Sequence, residues 1–182
     1  MWAVAAFIIR FVKRLKFSGF GGIEQYRTFG PSIRVCQLNV EGLSRAKCDY
    51  LGKYLAKHNI DALALKETHI ANQEKASKLL IPGFHLVANQ HHPKYGLATF
   101  VKHKLKDLST SDTNNRTTNA IVTKIGKLTL INVYKPTNLT WTLPIMPVSK
   151  HPTIYIGDFN SHHTMWGYPA NDTAGEQLAD WA

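Results

Sequence analysis

The sequence predicts a single α/β domain, on three observations. Short apolar runs bounded by turn residues recur along the chain. Two of them, Asp61–Leu65 and Thr153–Ile156, have the length and composition of strands buried on both faces. Between such runs, Arg45–His58 places Leu51, Tyr54 and Leu55 at helical spacing. The chain has 182 residues, 44% of them hydrophobic, enough to bury a sizeable core.

Taken in order, residues 1–31 read as an N-terminal extension and 32–182 as the domain. Trp2–Ile9 is apolar, and Arg10, Lys13, Arg14 and Lys16 follow. The run is too short to span a bilayer, and its charge follows the apolar stretch instead of preceding it as in a secretory signal. The first acidic residue is Glu24, so an organelle-targeting or membrane-surface helix is weighed against a dispensable extension. Ser18-Gly19-Phe20-Gly21-Gly22 reads as a flexible joint.

Within the domain, Ile33–Leu38 alternates as a strand ending at Asn39, with Glu41-Gly42 as a turn. The helix Arg45–His58 stops at Asn59, and the strand Asp61–Leu65 ends at Glu67. Gln73–Leu80 reads as a helix closed by Pro82-Gly83. Phe84–Ala88 and Leu97–Val101 read as strands around the loop Gln90–Lys94, and Ser109–Asn119 as a polar loop. Ala120–Ile125 and Lys127–Tyr134 form a predicted hairpin about Gly126. Leu139–Lys150 is expected to be irregular, and Gly175–Trp181 to begin a helix.

Charge narrows the partners. Twenty-two Lys and Arg face twelve Asp and Glu, a formal net charge of +10, which favours a polyanionic partner such as nucleic acid or an anionic membrane. Cys36 and Cys48 have neither a zinc spacing nor a disulfide framework and fit a reducing compartment. The sequons at Asn115, Asn138 and Asn171 read as chance.

Asn39, Glu67, Tyr134 and the pair Asp158/Asn160 each lie at or just past the carboxyl end of a predicted strand. Such ends, side by side in a sheet, bring scattered residues into one site. Any one of them alone is explained as a turn residue. Alternation in an extended chain also turns Asp158 and Asn160 the same way. Their chemistry suits phosphodiester hydrolysis, which needs an activated water, charge neutralisation and help for the leaving oxygen. Glu67 is a candidate ligand for Mg²⁺, with Mn²⁺ as an alternative, and Asp158 a base or orienter for water. Asn39 and Asn160 can bond phosphate oxygens or hold a carboxylate, and Tyr134 can donate to phosphate. No phosphate-cradling glycine loop and no serine or cysteine with a neighbouring base is evident, and no small-molecule cofactor is expected. His162-His163 are not at a zinc-type helical spacing, His91-His92 read as a surface loop, and none of the four is expected to ligate a metal.

These segments resemble the endonuclease/exonuclease/phosphatase superfamily, which includes DNase I and the AP endonucleases. The resemblance rests on Gln37-Leu38-Asn39-Val40-Glu41-Gly42-Leu43, Ala64-Leu65-Lys66-Glu67-Thr68-His69, Ile156-Gly157-Asp158-Phe159-Asn160 and, more weakly, Asn132-Val133-Tyr134-Lys135-Pro136. Within it, Gly157–Gly167, with Trp166-Gly167 at its end, and His92–Thr99 are most similar to endonuclease domains of jockey/LINE-type non-LTR retrotransposons. The resemblance implies a two-sheet α/β sandwich of the DNase I-like type with its last strands missing. It further implies Mg²⁺-dependent nicking of DNA, a reverse transcriptase domain downstream in an intact element, and an intracellular, nuclear location. It assigns metal binding to Glu67 and Asn39, and catalytic roles to Asp158, Asn160, Tyr134 and Asn39.

Two departures shape the expectation. Lys66 stands where the family has glutamine, and either adds positive charge beside the site or points into another layer. The family's later Ser-Asp-His segment is not found in these residues. The chain is therefore expected to be a fragment with weak or no activity. The alternatives are a phosphoinositide or phospholipid phosphatase of the same superfamily and a non-catalytic nucleic-acid-binding relic. Contact of the N-terminal segment with a membrane is the weaker reading of that segment.

Overall fold

A computed structural model describes residues 7–11, 14–18, 24–28, 33–106, 108–114, 118–148 and 152–182. The chain order is β1 (Phe7–Phe11), β2 (Arg14–Ser18), β3 (Glu24–Thr28), β4 (Ile33–Asn39), α1 (Arg45–Lys57), β5 (Ala62–Lys66), α2 (Gln73–Ser77), β6 (Phe84–Gln90), β7 (Leu97–Lys102), β8 (Leu108–Asn114), β9 (Asn119–Ile125), β10 (Leu128–Tyr134), β11 (Thr153–Asp158), a 3₁₀ turn at Thr164–Trp166, and α3 (Thr173–Trp181). One sheet runs β1-β4-β5-β7-β6 and the other β11-β10-β9-β8, while β2 and β3 form a separate pair. Both large sheets are mixed: β4/β5 and β10/β11 are parallel, and the remaining pairs are antiparallel.

The sheets stack face to face with helical segments outside, and strand parity shows why. On β5, Leu63 and Leu65 pack with Leu51 and Leu55 of α1, whereas Ala62 and Ala64 pack with Leu130 and Ile156 of the other sheet. On β10, Ile131 and Val133 face Trp141, Met146 and Ala174 of α3. Ser44 caps α1, its side chain accepting from the Lys47 N–H, and Asn59, just past the helix, takes a left-handed φ of 53°. Gly157 is required by close approach, since a Cβ there would lie 2.2 Å from the Val133 carbonyl oxygen.

One buried amide links the sheets. Asn132 Nδ2 donates to the carbonyls of Leu65 and Ala98, each at 3.2 Å. Asn132→Ala is expected to lower stability by about 2 kcal/mol, since it opens a small void and removes buried hydrogen bonds. Urea unfolding of the two proteins measures it.

Three expectations need correction. Ser109–Asn119 is not a loop throughout, because Leu108–Asn114 is a strand paired with β9. Its Ser-Thr-Ser-Asp-Thr run carries no apolar alternation, so only its threonines hinted at a strand. Gln73–Leu80 is helical only to Ser77; Leu79 and Ile81 beyond it are buried in the core under α1. The N-terminal segment is not helical where described: Phe7–Phe11 pairs antiparallel with β4, supplying backbone partners to an edge, and Arg14–Ser18 pairs with Glu24–Thr28. Of the expected joint Ser18–Gly22, Ser18 is the last residue of β2 and 19–22 lie outside the described residues, as does the sequon at Asn115. Among those described, no helix is long and apolar enough to cross a membrane.

Candidate active site

Four strands end together. Asn39, Lys66, Tyr134 and Asp158 are the last residues of β4, β5, β10 and β11. Asn39 is in register with Lys66, and Tyr134 with Asp158. Each shares its strand's parity with residues of the inter-sheet layer, such as Val35, Ala64, Leu130 and Ile156. The two sheets thus contribute two inward-facing terminal residues apiece to one end of the sandwich.

Glu67 reaches this end by another route. Regular alternation would send it toward α1 with Leu63 and Leu65. A left-handed φ of 51° breaks the alternation, and the Tyr134 hydroxyl hydrogen-bonds the Glu67 carboxylate. Glu41 (φ 42°), His69 (φ 53°) and Asn160 (φ 41°) are also left-handed non-glycine residues in the loops at this end. Such backbone costs about 1 kcal/mol or more per residue and concentrates where geometry serves a site. The surrounding bonds hold it: Gly42 N–H donates to Glu67 O at 2.6 Å, and Lys47 Nζ donates to the carbonyls of Val40, Glu41 and Gly42.

Asn160 lies beyond the strand, so strand alternation does not place it. Its left-handed turn lets Nδ2 donate to the Lys135 carbonyl at 2.7 Å, one residue past Tyr134. Asn39 is exposed, and its Oδ1 accepts from the Glu41 N–H at 3.2 Å. Glu67 and Asp158 are half-buried. Burial pushes the Tyr134 phenol well above its usual range, and the nearby charge of Glu67 pushes it further, so it remains a hydrogen-bond donor.

Lys66 has the most unusual setting. It is fully buried, and its Nζ has no hydrogen-bond partner among the described residues. Burial lowers its pKa to about 7, opposed by the attraction of Asp158 and Cys36. It therefore points inward beneath the site rather than into another layer. Sequence reasoning left that choice open, and it did not single out Lys135 or Tyr95. Lys135 is buried beside Asp158, with Nζ donating to the carbonyls of Pro136 and Leu139. Tyr95 stacks on His92 at 4.7 Å and lies 5.5 Å from the Tyr134 ring. The tetrapeptide context of each carries no periodic signal that would mark it.

The paired histidines serve local structure. His162 lies 3.5 Å from Asp172 and stacks on Tyr168, and His163 lies 3.6 Å from Glu176 and accepts from the Met165 N–H. They tie the segment after β11 to α3. A Cβ on Gly175 would sit 1.8 Å from the His162 carbonyl oxygen, so the helix backbone packs directly on it.

The oxygen donors suit a hard divalent ion. Glu67, Asn39 and Asp158 offer two carboxylates and an amide, and among the described residues no group of three His, Cys, Asp or Glu could hold an ion. A partial protein shell, completed by water or substrate phosphate, is the usual arrangement for Mg²⁺.

A family match over residues 36–181 covers this whole arrangement and carries the description endonuclease/exonuclease/phosphatase family. The chain belongs to that family. It is 25% identical over 159 residues to a probable RNA-directed DNA polymerase from transposon X-element of Drosophila melanogaster, a match spanning 81% of this chain and 17% of that protein. The endonuclease domain of TRAS1, a telomere-specific non-LTR retrotransposon, shares the fold with a TM-score of 0.51 and 17% identity, covering 83% of this chain and 71% of that one. An AP endonuclease from Archaeoglobus fulgidus aligns with a TM-score of 0.43 and 20% identity over 59% of this chain and 43% of that one. The family member described here is thus a two-sheet α/β sandwich whose fold is similar to that of the TRAS1 endonuclease domain.

Proposed function

We propose that this family member is a DNA-nicking endonuclease of the non-LTR retrotransposon type, dependent on Mg²⁺, with Mn²⁺ able to replace it. The observation that carries the reading is the meeting of Glu67, Tyr134 and Asp158 at one end of the sandwich, with Asn39 and Asn160 beside them. Glu67 and Asn39 would hold the metal. When bound, the ion supplies charge neutralisation at phosphate oxygens and makes water more acidic. Asp158 orients the attacking water and takes its proton. Tyr134 donates its hydroxyl hydrogen, to Glu67 in the free chain and to a phosphate oxygen when substrate is present. Asn160, fixed by its bond to Lys135, offers its remaining amide valences to phosphate or to Asp158.

The X-element relative is named as an RNA-directed DNA polymerase, and this chain spans about a sixth of its length. A reverse transcriptase partner and a nuclear location belong to the same proposal.

Relaxation of supercoiled plasmid tests the reading. Mg²⁺-dependent nicking is expected, reduced by roughly 100-fold or more in Asp158→Ala. Nicking that Asp158→Ala leaves unchanged, or phosphate release from inositol phosphates in place of nicking, would refute it. Mg²⁺-independent DNA binding with no turnover would instead favour the non-catalytic relic.

A further inference from the structure

The end of the sandwich opposite the carboxylates carries a second chemical feature. β7 runs antiparallel to β5, so its last residue, Lys102, lies beside the start of β5, where its N–H donates to the Asp61 carbonyl at 2.9 Å. Lys104 and Lys106 follow. β10 runs parallel to β11, so the β9–β10 turn lies at the end away from Asp158, and it is flanked by Lys124 and Lys127. The last turn of α1, which precedes β5, adds Lys57. The two groups of lysines belong to different sheets, yet they converge: Val101, Leu105, Leu108 and Ile125 share one hydrophobic cluster beneath them.

Lys57, Lys104, Lys106, Lys124 and Lys127 are exposed. Among the described residues, Asp61 is the carboxylate at this end, mostly buried and paired with Lys104 at 3.3 Å; Asp107 lies outside the described residues. Among the described residues the positive charge at this end is therefore largely uncompensated, and it gathers on a face that the proposed chemistry does not use. We propose that this face is a second nucleic-acid-binding surface, taking the phosphate backbone of a segment other than the one presented to Asp158. β10 has seven residues. At about 3.3 Å per residue the two ends are separated by roughly 20 Å of protein, so a short straight duplex seated on the carboxylates does not reach the lysines.

The inference does not depend on catalysis, because backbone binding through lysines needs no metal. It is tested with the full chain in EDTA, by fluorescence anisotropy of a short duplex and of a single-stranded RNA of equal length across a salt series. Lys104→Gln/Lys106→Gln/Lys124→Gln/Lys127→Gln is expected to reduce the slope of log affinity against log salt by about two to three. It should also remove a second binding event seen at low salt. The same four positions changed to arginine should restore both. The nicking rate at saturating plasmid, where present, should be unaltered by either variant. The nucleic acid whose slope falls more identifies whether DNA or RNA is the preferred occupant. An unchanged slope with a single binding event in both proteins overturns the proposal. So does loss of binding to anionic phospholipid vesicles with nucleic-acid binding intact. Loss of plasmid nicking in Asp158→Ala with the lysine effects absent would leave the proposed function standing and remove only this inference.

Discussion

Glu67→Gln is expected to weaken Mn²⁺ binding by roughly 30-fold, about 2 kcal/mol, with little change in the unfolding midpoint. The substitution keeps the shape and the ability to accept from Tyr134 and removes one negative charge from a site with few carboxylates. Mn²⁺ stands in for Mg²⁺ because its free and bound forms are distinguished by electron paramagnetic resonance. A companion variant separates binding from structure. Glu67 pays for its place with a left-handed φ of 51°, a conformation that asparagine tolerates better than glutamate. Glu67→Asn should therefore match or exceed the wild type in thermal stability while also losing Mn²⁺ affinity. If both variants bind Mn²⁺ as the wild type does, Glu67 is not a metal ligand.

Lys66→Met should raise stability, and the gain should depend on pH in a defined direction. The ammonium is fully buried without a hydrogen-bond partner among the described residues, and burial lowers its pKa to about 7. The ordinary lysine value is near 10.5. Below about pH 7 the lysine is charged in both folded and unfolded chains, and the full cost of burying the charge is present. Between the two values the folded chain holds fewer protons than the unfolded one, so wild-type stability rises relative to the variant. Above the unfolded value the difference disappears. The expected gain is roughly 5 kcal/mol at the acid end of this window, the linkage value of a pKa lowered to about 7, in which the opposing attraction of Asp158 is already contained. Cys36, whose thiol burial pushes up to about 11 against the lowering effect of Lys66, stays protonated in both folded proteins at pH 6.5 and pH 9 and so cancels in the difference. Urea unfolding at pH 6.5 and pH 9 reads the effect. A gap that is constant or widens with pH would show that Lys66 is not held as a buried cation.

Much of the architecture was legible because local and tertiary preferences agree. The runs Ile33–Leu38, Asp61–Leu65 and Thr153–Ile156 and the hairpin about Gly126 all became strands, since each buries apolar side chains on at least one face. β8 escaped notice because a polar strand is stabilised by its ladder to β9, which leaves no pattern in its side chains. The end of α2 was misplaced because Leu79 and Ile81 satisfy the core whether or not the helix continues to them. The candidate residues Asn39, Glu67, Tyr134, Asp158 and Asn160 could be named from their positions at strand ends. Their metal and catalytic roles remain for the experiments above.

The sequence by itself determined an α/β domain, its family motifs and the set of polar groups at strand ends, because periodicity and residue type are local properties of the chain. The tertiary structure decided where those groups point. A left-handed residue turns Glu67 against strand alternation into the inter-sheet layer, and pairing between distant strands sets Tyr134 beside Asp158. Sheet stacking buries Lys66 under the site and gathers lysines from the β7–β8 connection and the β9–β10 turn at the opposite end. These arrangements depend on register and on the packing of one sheet against another, and neither is encoded in the spacing of neighbouring residues.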